Sequence, residues 1–209
     1  MQVGLDFDNT IACYDLVYRA IVDEKDVVPS DTPANKTAIR DFLRAAGRED
    51  EWTELQGYVY GEGMTYARPY PGVADFIATC RSLSIDVSII SHRTRHPYTG
   101  PKVDLHATAR AWLESHAIVT DGELTLTHDL IHFEVTKSDK LGRIADRSCR
   151  WFVDDLPEFL SDPGFPASTR RILFDPHNLH ADGSESDTLY RLDSWDRIKI
   201  HILDEVNSK

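Results

Sequence analysis

The chain has 209 residues, 41% hydrophobic and 28% charged, which fits one globular domain of ordinary size with room for a modest insertion. A formal net charge of −12 argues against a protein that tracks a nucleic-acid backbone or docks to anionic lipid, because both need basic surfaces. Cys13, Cys80 and Cys149 lie far apart with no C-x-x-C spacing, which reads as reduced thiols in a cytoplasmic protein; no secretory signal is visible, and no stretch approaches the roughly 18 apolar residues of a membrane span.

Val3 to Phe7 reads as a short buried strand. A long polar section follows, from about Tyr14 to Arg68. Within it Ile39, Phe42, Leu43 and Ala46 recur at helical spacing, and Trp52, Leu55 and Val59 predict a second short helix. "PSDTPANKT" reads as a loop rich in helix-capping residues, and "YGEGMTY" as a flexible turn. After "RPYPG" the rhythm changes. Val73, Phe76, Ile77, Cys80 and Leu83 mark an amphipathic helix, "DVSIISH" a strand ending at Ser91, and Leu105, Ala109, Trp112 and Leu113 another helix. "LIHFEV" is a strand, a helix starts near Ser138, "CRWFVDD" and "RRILFDP" are strands, and Trp195, Ile198, Ile202 and Val206 mark a C-terminal helix. Strands alternating with helices predict an α/β domain with a mainly parallel sheet.

Polar residues gather at the strand ends. Asp6 and Asp8, Ser91, and Asp154 with Asp155 all fall at the carboxyl ends of predicted strands, the edge where open parallel sheets bind ligands. Any one of them alone is a loop-start residue capping the next helix. Three such strand ends together call for another explanation. Grouped carboxylates are tolerated around a hard cation, and oxygen-only donors favour Mg2+. No histidine or cysteine group has zinc-like spacing. There is also no GxxxxGK[ST] phosphate loop and no G-x-S-x-G elbow. Lys137 and Lys140, at the start of a predicted helix, offer a cation for the same nest.

Taken together, these residues resemble the haloacid dehalogenase superfamily. "DFDNT" (Asp6 to Thr10) matches its DxDx[TV] motif, Ser91 in "IISHR" its second motif, a lysine in "TKSDK" its third, and "FVDD" its acidic fourth motif. The order is the family's and the set spans nearly the whole chain. The resemblance implies a Rossmann-like core, residues 1–13 and 69–209, with a small helical cap, residues 14–68, inserted after the first motif. Lys137 is preferred to Lys140 because it lies nearer the expected helix start. The second acidic ligand is Asp155 or, at a spacing the family also uses, Glu158. Dehalogenating members lack the second aspartate of the first motif, which is present here as Asp8.

The activity implied is that of a Mg2+-dependent phosphatase. Asp6 would attack phosphorus and Asp8 would act as general acid and base. Asp6, Asp154, Asp155 and the Asp8 backbone carbonyl would hold the metal, and Thr10, Ser91, His92 and Lys137 would serve the phosphate site. Arg93 and Arg95, in the basic segment after Ser91, would choose the substrate. The expected partner is a small phosphorylated metabolite, a sugar phosphate before a nucleoside monophosphate, with no nucleic acid and no membrane. A phosphomutase shares the aspartyl-phosphate step. A reading of another class, a binding protein on the same fold, has no need of both aspartates. Arg40, Arg44 and Arg48, four residues apart, read as a solvated helix face pairing with nearby acids.

Overall fold

The computed structural model describes residues 1–180 and 188–207. Its strands are β1 (Gln2–Leu5), β2 (Ala12–Cys13), β3 (Arg68–Pro69), β4 (Asp86–His92), β5 (Ile131–Glu134), β6 (Trp151–Asp154), β7 (Arg170–Phe174) and β8 (Leu189–Leu192). Its α-helices are α1 (Asp15–Glu24), α2 (Lys36–Ala45), α3 (Glu49–Tyr60), α4 (Val73–Ser82), α5 (Leu105–Ser115), α6 (Lys137–Asp146), α7 (Pro157–Leu160) and α8 (Trp195–Asn207). The chain forms two compact units, one of Met1–Ala12, Pro69–Arg93 and His116–Lys209, the other of Cys13–Arg68 and Thr94–Ser115.

The first unit is an α/β, Rossmann-like domain. Six parallel strands run in the order β5-β4-β1-β6-β7-β8. The chain starts in the middle at β1, winds out through β4 and β5, then returns to β6 on the other flank of β1. The winding direction therefore reverses between β1 and β6, and the crevice at such a switch point is where open α/β sheets place their ligands. Strands covered on both faces need near-continuous apolar runs. Val3, Leu5, Val87, Ile89, Ile90, Trp151, Phe152 and Val153 supply them, all buried. Gly4 is in register with Phe152, and a Cβ there would stand 2.5 Å from the Phe152 ring, so only glycine fits.

Two aromatic groups fix the flanks of that crevice. Trp195 of α8 lies 5.1 Å from the Phe76 ring and 5.7 Å from the Phe174 ring, and its indole donates to the Thr10 carbonyl at 3.2 Å. This ties α4, β7 and α8 to the turn after β1. On the other face Phe152, Phe159 and Phe165 pack ring to ring at 5.6–6.1 Å, together with Ile90, Ile144, Leu160 and Leu173.

The second unit is helical. Asn35 caps α2 by accepting from the Ala38 amide at 2.9 Å. Ile39 and Leu43 of α2 and Trp52, Leu55 and Val59 of α3 are buried, whereas Phe42 is 37% exposed. Helix α1 buries Val17, Tyr18, Ala20, Ile21 and Val22. "YGEGMTY" is not a flexible turn: Glu62–Thr65 forms a 3-10 turn that buries Gly63 and Met64. The unit also extends beyond the section that begins near Tyr14 and ends at Arg68, because Thr94–Ser115 belongs with it. The reason is packing. The Trp112 indole of α5 donates to the Ala67 carbonyl at 3.2 Å, and Gly57 lets Pro97 and Thr99 approach α3 so closely that a Cβ would lie 3.0 Å from the Pro97 side chain. Most of the basic segment after Ser91, from Thr94 to Lys102, therefore belongs to the helical unit.

Candidate active site

Strand β1 delivers Asp6 to the crevice. Its amide donates to the Val153 carbonyl at 2.9 Å, which continues the β1–β6 ladder, and its side chain is buried. The chain then turns sharply. The Phe7 carbonyl accepts from the Ile11 and Ala12 amides at 3.0 and 2.9 Å, and the Asn9 amide donates to the Ala12 carbonyl at 2.9 Å. Asn9 takes φ 56°, a left-handed conformation that asparagine tolerates better than most residues. Asn9 is thus the pivot of the turn that separates Asp8 from Thr10.

Between the carboxylates of β1 and β6 sits a lysine. Lys140 Nζ donates to Asp6 Oδ1 and to Asp154 Oδ2, each at 2.6 Å, and only 3% of the residue is exposed. Its ammonium lies 4.0 Å from the centroid of the Phe159 ring, whose face favours a cation. The other oxygen of Asp154, Oδ1, accepts from the Leu156 amide at 2.9 Å. Asp8 has a separate cation. Arg93 Nη1 donates to both its carboxylate oxygens, at 2.6 and 2.9 Å.

Asp6, Asp154 and Asp155 each offer an oxygen within 4.8 Å of the others. An all-oxygen donor set on rigid strand ends fits a hard divalent cation. The charges are crowded accordingly. Burial pushes the Asp6 carboxyl well above the usual carboxylate range, and the Asp154 and Asp8 charges add to the rise while Lys140 opposes it. Burial alone would lower the Lys140 ammonium, but the attraction of Asp154 and Asp6 outweighs it and holds Lys140 above the ordinary lysine value.

No family model and no curated protein matches the sequence. Solved structures do match. A haloacid dehalogenase (HAD) family hydrolase from Deinococcus radiodurans R1, with bound phosphate and sodium, is similar over 97% of this chain and 95% of its own, at 12% identity and a TM-score of 0.60. A HAD-superfamily hydrolase of subfamily IA from Geobacter sulfurreducens PCA is similar over 97% and 95%, at 14% identity and a TM-score of 0.56. The Mycobacterium tuberculosis protein tyrosine kinase A is similar over 96% and 97%, at 16% identity and a TM-score of 0.60.

The chain has the haloacid dehalogenase fold. Hydrolases and a protein described as a kinase share it, so the likeness establishes architecture and the chemistry must be argued from the site.

On that fold the sequence-predicted residues sort into two groups. Asp6, Asp8, Ser91, Arg93, Asp154 and Asp155 belong to the α/β unit at the carboxyl ends of β1, β4 and β6. Ser91 is buried near the end of β4, level with Phe133 of β5. Thr10 is buried, and its hydroxyl has no hydrogen-bond partner among the described residues. The lysine needs correction. Lys137 is the first residue of α6 and pairs with Asp162 at 2.7 Å, half exposed, while Lys140 lies between the carboxylates. Helix α6 begins one residue earlier than expected, capped by Thr136, which accepts from the Asp139 amide at 3.0 Å. That start puts Lys140 on the buried face with Ile144. His92 does not face the carboxylates: its Nε2 lies 3.1 Å from the Val135 carbonyl and the residue is exposed. Arg95 belongs to the helical unit, exposed, with Asp104 at 3.1 Å. Glu158 is exposed on α7, outside the carboxylate group that Asp155 joins.

Sequence reasoning missed α1, α7, β8 and the two-residue strands β2 and β3, and with α7 it missed Phe159. The signal for α7 was short: Pro157 after Leu156, then "EFL". Proline at the first helical position starts a helix readily, but four residues carry no periodicity.

Proposed function

We propose that this protein is a Mg2+-dependent phosphatase that hydrolyses a small phosphorylated metabolite, a sugar phosphate in preference to a nucleotide, through an aspartyl-phosphate on Asp6. The observation that carries this reading is the division of labour between two aspartates two residues apart. Asp6 is buried against Lys140 and Asp154, whereas Asp8 has a cation of its own in Arg93 and a more open side chain. A nucleophile and a proton carrier need such distinct settings.

The bond changes balance in two steps. An Asp6 carboxylate oxygen attacks phosphorus, the bond from phosphorus to the leaving oxygen breaks, and the Asp8 carboxyl gives that oxygen its proton. Asp8, now a carboxylate, then takes a proton from the water that attacks phosphorus, and the bond to Asp6 breaks to release phosphate. Lys140 and Ser91 bind phosphate oxygens in this scheme. Asp6, Asp154 and Asp155 would hold Mg2+, which when bound supplies charge neutralisation for the approach of carboxylate to phosphate. We assign the helical unit the role of a cap that admits substrate and excludes water. We place the protein in the cytoplasm, on the wide spacing of Cys13, Cys80 and Cys149 in the sequence. No helix among the described residues is long and apolar enough to cross a membrane.

The test is a panel of phosphomonoesters assayed with Mg2+ and with EDTA. Hydrolysis should need the metal, and Asp6→Asn should lower turnover by about 10⁴-fold or more, the scale of losing a nucleophile. Substantial turnover by Asp6→Asn would remove Asp6 from that role.

A further inference from the structure

Arg93 ends the second segment of the α/β unit, and its place in the sequence suggests a selector of substrate. Its setting does not suit that task. The side chain is 3% exposed, and a single nitrogen, Nη1, spans both oxygens of Asp8 at 2.6 and 2.9 Å. The Arg93 amide is pinned to the Glu134 carbonyl at 2.8 Å, and its guanidinium stands 5.5 Å from the centroid of the Phe7 ring. Asp8, by contrast, sits at the start of a turn with a partly open side chain. Two residues further on, Arg95 is 68% exposed and free of such constraint, paired at the surface with Asp104.

We propose that Arg93 is a positioning residue for Asp8, fixing the plane of its carboxyl group so that it meets the leaving oxygen. A carboxyl group on a turn has two side-chain rotations to lose, and proton transfer works only within hydrogen-bond reach of its target. An arginine anchored on a strand end supplies the missing constraint, because it is charged at all working pH values and here is itself rigidly held. This rests on the phosphatase reading, with Asp8 as the proton carrier.

The two are separated by the leaving group. An alkyl phosphate needs a proton on its departing oxygen, while 2,4-dinitrophenyl phosphate releases a stable anion and needs none. The measured quantity is kcat/KM, which reports the steps up to departure of that group. Arg93→Met should lose about 10²-fold or more on the alkyl phosphate, the scale of general acid catalysis, and change little on the dinitrophenyl ester. Arg93→Lys should recover part of the loss. In an Asp8→Asn background Arg93→Met should cost nothing more, because a residue that acts only through Asp8 has nothing left to position. Equal losses on both esters, a further loss in the double variant, or an Arg93→Met enzyme faster than wild type on the alkyl phosphate would each overturn the proposal. A loss that follows a second anionic group on the substrate, whatever its leaving group, would return Arg93 to substrate selection. Thermal unfolding of each variant identifies one that fails to fold, for which Arg93→Lys carries the comparison. A wild-type protein inactive on both esters would refute the phosphatase reading itself and this proposal with it.

Discussion

Lys140 meets Asp6 at 2.6 Å in the α/β unit, and Arg48 meets Glu51 at 2.6 Å in the helical unit. The distances are equal and the settings are not. Lys140 and Asp6 have side chains 3% and 7% exposed, against 33% and 47% for Arg48 and Glu51. In the first pair water has been removed from both charges, so each depends on the other and on Asp154. In the second, water already solvates both ends and the contact replaces one good environment with another. A distance alone therefore says little about what an ion pair does. Its surroundings decide whether it is part of a site or part of a surface.

The sharpest way to break this comparison is to remove each lysine of α6 in turn. Lys140→Met leaves Asp6 and Asp154 crowded without a counter-charge. Breaking a buried pair costs about 3–5 kcal/mol, which for a chain of this size is roughly 10 °C in Tm. Much of that should return when Mg2+ is added, because a cation among the three carboxylates relieves the same repulsion. Turnover should remain low even then. Lys137→Met breaks only a half-exposed pair with Asp162, so its cost should stay within about 1 kcal/mol and be indifferent to Mg2+. Differential scanning calorimetry with EDTA and with Mg2+ gives both numbers. Equal losses for the two variants would show that burial is not what separates them.

Asp6 sharpens the comparison through pH. In the metal-free protein its carboxyl is raised in the fold, from near 4 to about 7, chiefly by burial. Over that window the folded protein keeps a proton that the unfolded chain has released. The contribution of this group to stability therefore falls as pH rises from about 4 to about 7. Asp6→Asn cannot titrate and escapes the fall. In EDTA the Tm of Asp6→Asn relative to wild type should climb between pH 4 and pH 8. A difference that stays flat or declines would mean that Lys140 holds Asp6 ionised throughout.

The parts of this arrangement that the sequence disclosed are those with a period or a motif. The parallel core followed from apolar runs such as "DVSIISH" and "CRWFVDD", and the crevice from aspartates at their ends. What stayed hidden depended on phase and on tertiary partners. Lys137 and Lys140 are one helical turn apart, and choosing between them required knowing that Thr136 caps α6. Strand β8 has its first three residues only partly buried, "LYR", so it shows no clear alternation. Thr94–Ser115 follows the motif-bearing strand β4 directly, and nothing local reveals that Trp112 bonds to Ala67, 45 residues earlier. Arg93 and Arg95 look alike in "SHRTR", and only the fold buries one of them and leaves the other in water. Val206 fitted the apolar spacing of α8, but its side chain lies outside the described residues.

The smallest effect belongs to the helical unit. Arg44 reaches Glu49 with two hydrogen bonds, at 2.7 and 2.9 Å, in a geometry as good as any in the site. Arg40 pairs with Asp41, and Arg48, beyond the end of α2, with Glu51. If geometry alone set the worth of an ion pair, Arg44→Ala would be costly. Both partners are more than half exposed, however, and on release each regains full hydration. The long side chains also regain the rotations that pairing had frozen, which offsets what attraction remains. The urea midpoint of Arg44→Ala should thus be indistinguishable from that of wild type. Salt at about 1 M, which screens exposed charges to roughly 3 Å, should leave the difference unchanged. A large loss in Arg44→Ala that disappears at high salt would show that the surface pairs of this unit act as a network, and that exposure does not divide the two regions as sharply as the Lys140 and Arg48 contacts imply.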